Sequence, residues 1–413
     1  MNGVELPKDY NMKYRSSFFQ FFLLVSLAFI YACSSDDKEP ENPNDKPVLV
    51  SADLVYTTTV SQIRLLANFS GLGIQASEFQ YDVDIYKVVY RTTYDESTIN
   101  ASGLIVLPKT TQGVGMLSFQ HGTLINRIDA PSNFSIDENT LMYGAIGSAG
   151  FIGVIPDYLG FGSSSSILHP YYVEDLTASS VTDMLRAAKE LAQQKGIPFN
   201  RKLFLAGYSE GGYATMAAHK AIEENNLEGF DLIASFPGAG GYDLKEIQEY
   251  IFGLQQYDNP HYLAYIARAY QLEYDQDNLL TDFFKEPYAT RIPTLFDGQK
   301  GADAIDAQLT STLADLIQPD ILNNIDTDQK YAYLLNAFSE NSLTDWTPRA
   351  KMFMYHGLSD ETVPYQNSVD TYNKLLNNGA SINTVSLTSL EGTHSTAIEP
   401  YIADFIPKLL ALQ

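Results

Sequence analysis

The 413 residues carry 50 acids against 26 Lys and Arg, a formal net charge of −24, with 45% hydrophobic and 12% aromatic content. A chain of this kind can bury a large core, as one domain with an insertion or as two smaller domains, and is not intrinsically disordered. The acidic balance excludes a nucleic-acid partner, because phosphate binding needs clustered Lys and Arg.

The first feature in chain order is "FFQFFLLVSLAFIYA" behind Lys13 and Arg15, an apolar run of signal-peptide length and too short for a comfortable membrane span. Residues 1–32 are therefore expected to be an export signal, with Met12 as the more usual starting methionine. Cys33 follows and is the single cysteine of the chain, so no intramolecular disulfide is available. "FIYACSSDD" resembles a bacterial lipoprotein signal, although Tyr31 is bulky for its place in one. The resemblance implies that Cys33 is acylated and anchors the protein to a membrane of the cell envelope, the outer membrane in particular. An ordinary signal peptide followed by an incidental cysteine is the alternative. Residues 33–48 are rich in Asp, Glu and Pro, which predicts an unfolded, self-repelling tether.

From residue 49 onward, short β-rich runs alternate with helical patterns. "YKVVYRTTY", "GLIVLP", "VGMLSFQHG", "FIGVIPDYLG", "KLFLAGYS", "LIASFPG", "KMFMYHG" and "INTVSLTSL" read as strands. The clearest helical pattern is 174–193, where Leu176, Val181, Leu185, Ala188 and Leu191 recur at helical spacing. Alternation of this kind predicts an α/β fold with a mostly parallel central sheet covered by helices on both faces. Residues 242–345 break the alternation with helix-like, aromatic-rich stretches, and are expected to be a helical cap between two core segments, 49–241 and 346–413. Most of the cap's aromatics should form its own core, and a minority should line a cleft against the sheet.

"LFLAGYSEGG" is where chemistry enters. A buried strand runs into Gly207-Tyr208-Ser209-Glu210-Gly211, and a helix follows, which is the strand-turn-helix setting of a nucleophile elbow. Ser209 is the expected nucleophile; a plain glycine-rich turn is the bland alternative. A serine hydroxyl needs a base to take its proton, and the base needs an acid to orient it. On this elbow the partners follow in the order Ser, acid, His, which sets aside His121 and His169. His219 lies ten residues down the following helix, His261 falls in the cap, and His356 closes a strand. His394, in the loop "LEGTHSTA" before the last helix, is the expected base. The acid is expected in "HGLSDETVP", as Asp360 with Glu361 the runner-up. An oxyanion needs two N–H donors. Glu210 should supply one through its backbone, and the turn after "SFQHGT" the other, from Thr123 or its neighbour. A carboxylate beside a developing oxyanion would oppose it, so the Glu210 side chain must point away or be paired.

With these residues in place the chain resembles an α/β-hydrolase. "PDYLGFGSSSSILHPY", the long helix after it and "GYSEGG" are similar to the secretory-lipase branch that includes the lipase A-like esterases, apart from Glu210, where Gln or Gly would be usual. The resemblance implies hydrolysis of a small-molecule, lipid or glycan ester through a Ser-His-Asp triad and an acyl-enzyme, with no metal or organic cofactor. A serine peptidase of the same fold is the first alternative. A surface-anchored binding protein that has kept the fold without the chemistry is the second.

Overall fold

The computed structural model describes residues 47–68, 75–133 and 138–413. The expected export signal, Cys33 and the tether up to residue 46 lie outside the described residues. No helix among the described residues is long and apolar enough to cross a membrane.

The eight expected strands are present, and a ninth precedes them. β1 (Leu49–Thr58), β2 (Val83–Tyr94), β3 (Ser97–Pro108), β4 (Val114–Gln120), β5 (Phe151–Pro156), β6 (Phe199–Tyr208), β7 (Asp231–Gly238), β8 (Lys351–Gly357) and β9 (Val385–Leu390) pair in the order β1-β2-β3-β5-β4-β6-β7-β8-β9. β1 escapes the sequence pattern because it is an edge strand, largely exposed and with two register breaks against β2. The β1-β2, β2-β3 and β3-β5 pairings are antiparallel, and every pairing from β5 through β4 to β9 is parallel. Every residue of β5 is buried, as expected for a strand covered on both faces.

The helix expected at 174–193 spans Glu174–Lys195 and buries Val181, Met184, Leu185, Ala188 and Leu191. Gly196, in the left-handed region at φ 71°, ends it. The strand order β5-β4-β6-β7 sends the crossover from β4 to one side and the crossover from β6 to the other. In open α/β sheets a crevice opens at such a switch, outside the carboxyl ends of the strands. The ends of β4 and β6 there carry His121-Gly122 and Tyr208-Ser209.

Between β7 and β8 the chain is helical, from Leu244–Phe252 through Pro260–Glu273 to Ala332–Glu340. The excursion closes on itself: the Leu343 N–H donates to the Tyr242 carbonyl at 2.7 Å, and the Leu244 N–H to Ser342 Oγ at 3.0 Å. Tyr265, Tyr270, Phe283, Phe284 and Tyr331 are buried in the cap's interior. Tyr265 also stacks between Tyr171 and Phe296, with ring centroids 4.6 Å away on each side and planes within 12°. One apolar cluster therefore runs from the sheet's helices into the cap.

Candidate active site

Ser209 stands at the tip of a sharp turn between β6 and the helix Glu210–Asn225, with φ 62° and ψ −126°. A non-glycine residue in that region is strained, and the strain persists because the surroundings fix it. The glycines around it are required by space. A Cβ on Gly207 would lie 2.3 Å from the Gly211 carbonyl oxygen, on Gly211 2.0 Å from the Gln120 oxygen, and on Gly212 2.2 Å from the Gly238 oxygen. Strand, helix and neighbouring strand ends thus meet backbone to backbone, which pushes the serine side chain outward.

The structure brings Ser209, His394 and Asp360 together. His394 Nε2 lies 2.8 Å from Ser209 Oγ, and His394 Nδ1 lies 2.6 Å from Asp360 Oδ2. The other carboxylate oxygen, Oδ1, accepts the backbone N–H groups of Thr362 and Val363 at 3.0 and 2.9 Å. Burial alone would raise the Asp360 pKa; hydrogen bonds and charge from His356 and His394 outweigh it and hold the carboxyl at about 2. Asp360 is therefore an anion at neutral pH. Since its lone pairs can only accept, His394 carries its proton on Nδ1 and leaves Nε2 free to take the serine's. Glu361, the runner-up acid, is exposed.

The expected oxyanion elements flank the serine. Glu210 opens the elbow helix, so its N–H is among the donors that a helix start leaves without an intrahelical acceptor. Gly122 lies beside Ser209: a Cβ there would be 3.7 Å from Ser209 Cβ. Next to it, Thr123 Oγ1 is 2.9 Å from the Tyr171 hydroxyl. Above Ser209 the cap leaves a cavity of about 70 Å³, whose walls include Tyr171, Tyr172, Tyr257, Tyr262, Ile251 and Leu263. Tyr257 and Tyr262 are thus two of the cap aromatics that face the cleft. A larger open groove of about 620 Å³, beside Asp84, Lys109 and Lys195, touches none of Ser209, Asp360 and His394.

Comparison with known proteins agrees with this geometry. Solved structures of similar fold include a Legionella pneumophila protein provisionally described as a hydrolase, at 29% identity, TM-score 0.78, covering 87% of this chain and 97% of that one. They also include the rice cell wall degrading esterase LipA from Xanthomonas oryzae in a ligand-bound form, at 22% identity, TM-score 0.79, covering 89% and 99%. The chain has the α/β-hydrolase fold. Candida antarctica lipase A in its closed state shares the fold at 16% identity and TM-score 0.62, covering 85% of this chain and 78% of that one. Residues 128–254, which include the elbow, match the family model described as Secretory lipase. No curated protein matches by sequence. The chain is thus similar over residues 128–254 to secretory lipases, and in fold to a hydrolase-like protein and to an esterase.

Two histidines passed over as the base, His169 by chain order and His356 as the end of a strand, belong to the site in other roles. His356, fully buried, points Nε2 at the Val363 carbonyl at 2.9 Å and at Asp360 Oδ2 at 3.2 Å, while its Nδ1 is 2.6 Å from Ser368 Oγ. Its signal was available as an i, i+4 spacing to Asp360. His169 sits 2.6 Å from Glu210 Oε1, with both side chains 2% exposed. Of the two options for the Glu210 carboxylate, the structure takes pairing.

Proposed function

We propose that the protein is a serine carboxylic-ester hydrolase working through an acyl-enzyme. The observation that carries this is the unbroken chain Ser209 Oγ to His394 Nε2 at 2.8 Å and His394 Nδ1 to Asp360 Oδ2 at 2.6 Å, set on a strained elbow beneath a cap. Ser209 Oγ attacks the ester carbonyl as His394 Nε2 takes its proton, and Asp360 stabilises the imidazolium. The Glu210 N–H and a second donor from the Gly122-Thr123 turn receive the oxyanion. His394 then protonates the departing alcohol, and a water activated by the same nitrogen releases the acid.

The peptidase alternative finds less support. Glu210, an acid next to the nucleophile that could have met a substrate amine, is buried against His169. Ser209→Ala should lower p-nitrophenyl ester turnover by about 10⁴-fold or more, and should abolish labelling by a serine-reactive phosphonate. Retention of about a tenth of wild-type turnover would refute the assignment.

The secretory-lipase match agrees with export. We further propose that Cys33 is acylated and holds the enzyme on the outer membrane through more than one chain, since a single chain gives only marginal binding.

A further inference from the structure

The stretch "PDYLGFGSSSSILHPY" carries no part of the triad, yet it is built with unusual constraint. Asp157 is fully buried, accepts from Ser102 Oγ at 2.6 Å and takes the Ser132 N–H at 2.8 Å. Tyr158 adopts a positive φ of 67°, and its hydroxyl donates to the His121 carbonyl at 3.1 Å. Its ring lies 4.2 Å from that of His121 and stacks on that of His169 at 5.9 Å. Gly160 has φ 88°, and a Cβ there would fall 2.4 Å from the His169 backbone. The loop thus delivers one imidazole, His169, to one carboxylate, Glu210.

The protons of that contact can be counted from geometry. His169 Nδ1 lies 2.7 Å from the Leu159 carbonyl oxygen, which can only accept, so Nδ1 bears a hydrogen. His169 Nε2 lies 2.6 Å from Glu210 Oε1, a distance that two lone pairs would not tolerate. One proton therefore occupies the line between them. Whether it rests on nitrogen or on oxygen, the pair as a whole carries no net charge. Among the described residues His169 is the only ion-pair partner of Glu210, and Glu210 Oε2 is buried with no hydrogen-bond partner. Without the shared proton, a bare carboxylate would sit buried on the residue whose own N–H serves the oxyanion.

We propose that His169 and Glu210 form a one-proton, net-neutral positioning pair that holds the Glu210 amide in place and keeps the charge of its carboxylate from opposing the oxyanion. His169 touches no reacting atom and acts through Glu210; the proposal rests on the ester-hydrolase reading above. Because the tetrahedral oxyanion exists only along the reaction path, loss of the neutralising partner should fall on kcat rather than on KM.

The test uses the full-length enzyme and p-nitrophenyl acetate, with sites counted by phosphonate labelling so that only folded, reactive enzyme is compared. His169→Gln fills the space and can still donate to the carboxylate, but has no ionisable proton to share. It should lower kcat per labelled site by about 10- to 100-fold, with KM changed by less than about threefold, the scale of weakening an oxyanion donor. Glu210→Gln added to His169→Gln removes the uncompensated charge and should restore at least about tenfold of that loss. A double variant as slow as His169→Gln would overturn the charge argument and leave only a packing role. Should His169→Gln fail to fold, a low-field proton resonance provides the second measurement: wild type should show one that survives in Asp360→Asn and vanishes in Glu210→Gln. Its persistence in Glu210→Gln would also overturn the proposal. Wild-type enzyme that neither labels nor hydrolyses the ester would instead refute the ester-hydrolase reading.

Discussion

Asp360→Asn is a demanding test of the site because the surrounding backbone dictates how the amide must sit. Thr362 and Val363 direct two N–H groups at Oδ1, so the asparagine oxygen has to stay there. Its NH₂ is then forced into the place of Oδ2, facing His394 Nδ1 at a position now 2.6 Å away. A donor cannot face a donor at that range, so His394 must move its proton to Nε2 and present a hydrogen, not a lone pair, to Ser209. That tautomer cannot act as the base, and the expected fall in kcat is about 10⁴-fold near neutral pH. The stability cost can be worked from the same group. Holding the carboxyl at about 2 instead of 3.8 corresponds to about 2 kcal/mol favouring the ionised form in the fold. Asn forfeits it, which should lower the melting temperature by a few degrees. Turnover of p-nitrophenyl esters, normalised to labelled sites, together with a thermal melt, checks both. A variant that keeps more than about a tenth of wild-type kcat would show that Asp360 does not set the tautomer of His394. Glu361→Gln is the matched control, since Glu361 is exposed and should be dispensable.

Four further outcomes are expected. Because the Asp360 pKa is depressed in the fold, its contribution is complete above its ordinary value of 3.8 and is lost as the pH falls through about 2. Urea unfolding should therefore show wild type losing about 2 kcal/mol more than Asp360→Asn between about pH 5 and pH 2, and equal losses would contradict this. Gly211→Ala drives a methyl to 2.0 Å from the Gln120 carbonyl oxygen, where backbone faces backbone. It should cost about 1–3 kcal/mol or more and open the elbow, read as a lower melt with loss of labelling. A cavity of about 70 Å³ over Ser209 holds only a few waters at about 30 Å³ each, so short acyl esters should be preferred over palmitate. Ile247→Ala, which widens the same cavity, should move the optimum to longer chains by roughly tenfold per methylene accommodated. A wild-type preference for palmitate would count against the cavity as the acyl site.

What the sequence disclosed and what it hid divide along physical lines. The elbow was legible because its glycines answer a local need for space, and the order Ser209, Asp360, His394 follows from how such a sheet is wound. Apolar and β-branched runs disclosed β2 to β9, most plainly β4 and β5, which are buried almost throughout. β1 stayed hidden because it is a largely exposed edge strand broken by two register shifts, which leaves no continuous pattern to read. The His169–Glu210 contact was illegible for a different reason: its partners are 41 residues apart, and only the folded loop after β5 makes them neighbours. His356 lay between these cases, close to Asp360 in sequence but read as the end of a strand.

The cap leaves the sheet and returns to it at almost one point, with the Leu343 N–H 2.7 Å from the Tyr242 carbonyl. An excursion whose two feet are tied together can lengthen, shorten or be exchanged without pulling on the strands that carry Ser209 and Asp360. On the proposed reading, substrate choice and reaction chemistry are in this way housed in parts that can drift at different speeds. A lineage could rebuild the roof of the site many times while the catalytic floor stayed as it was.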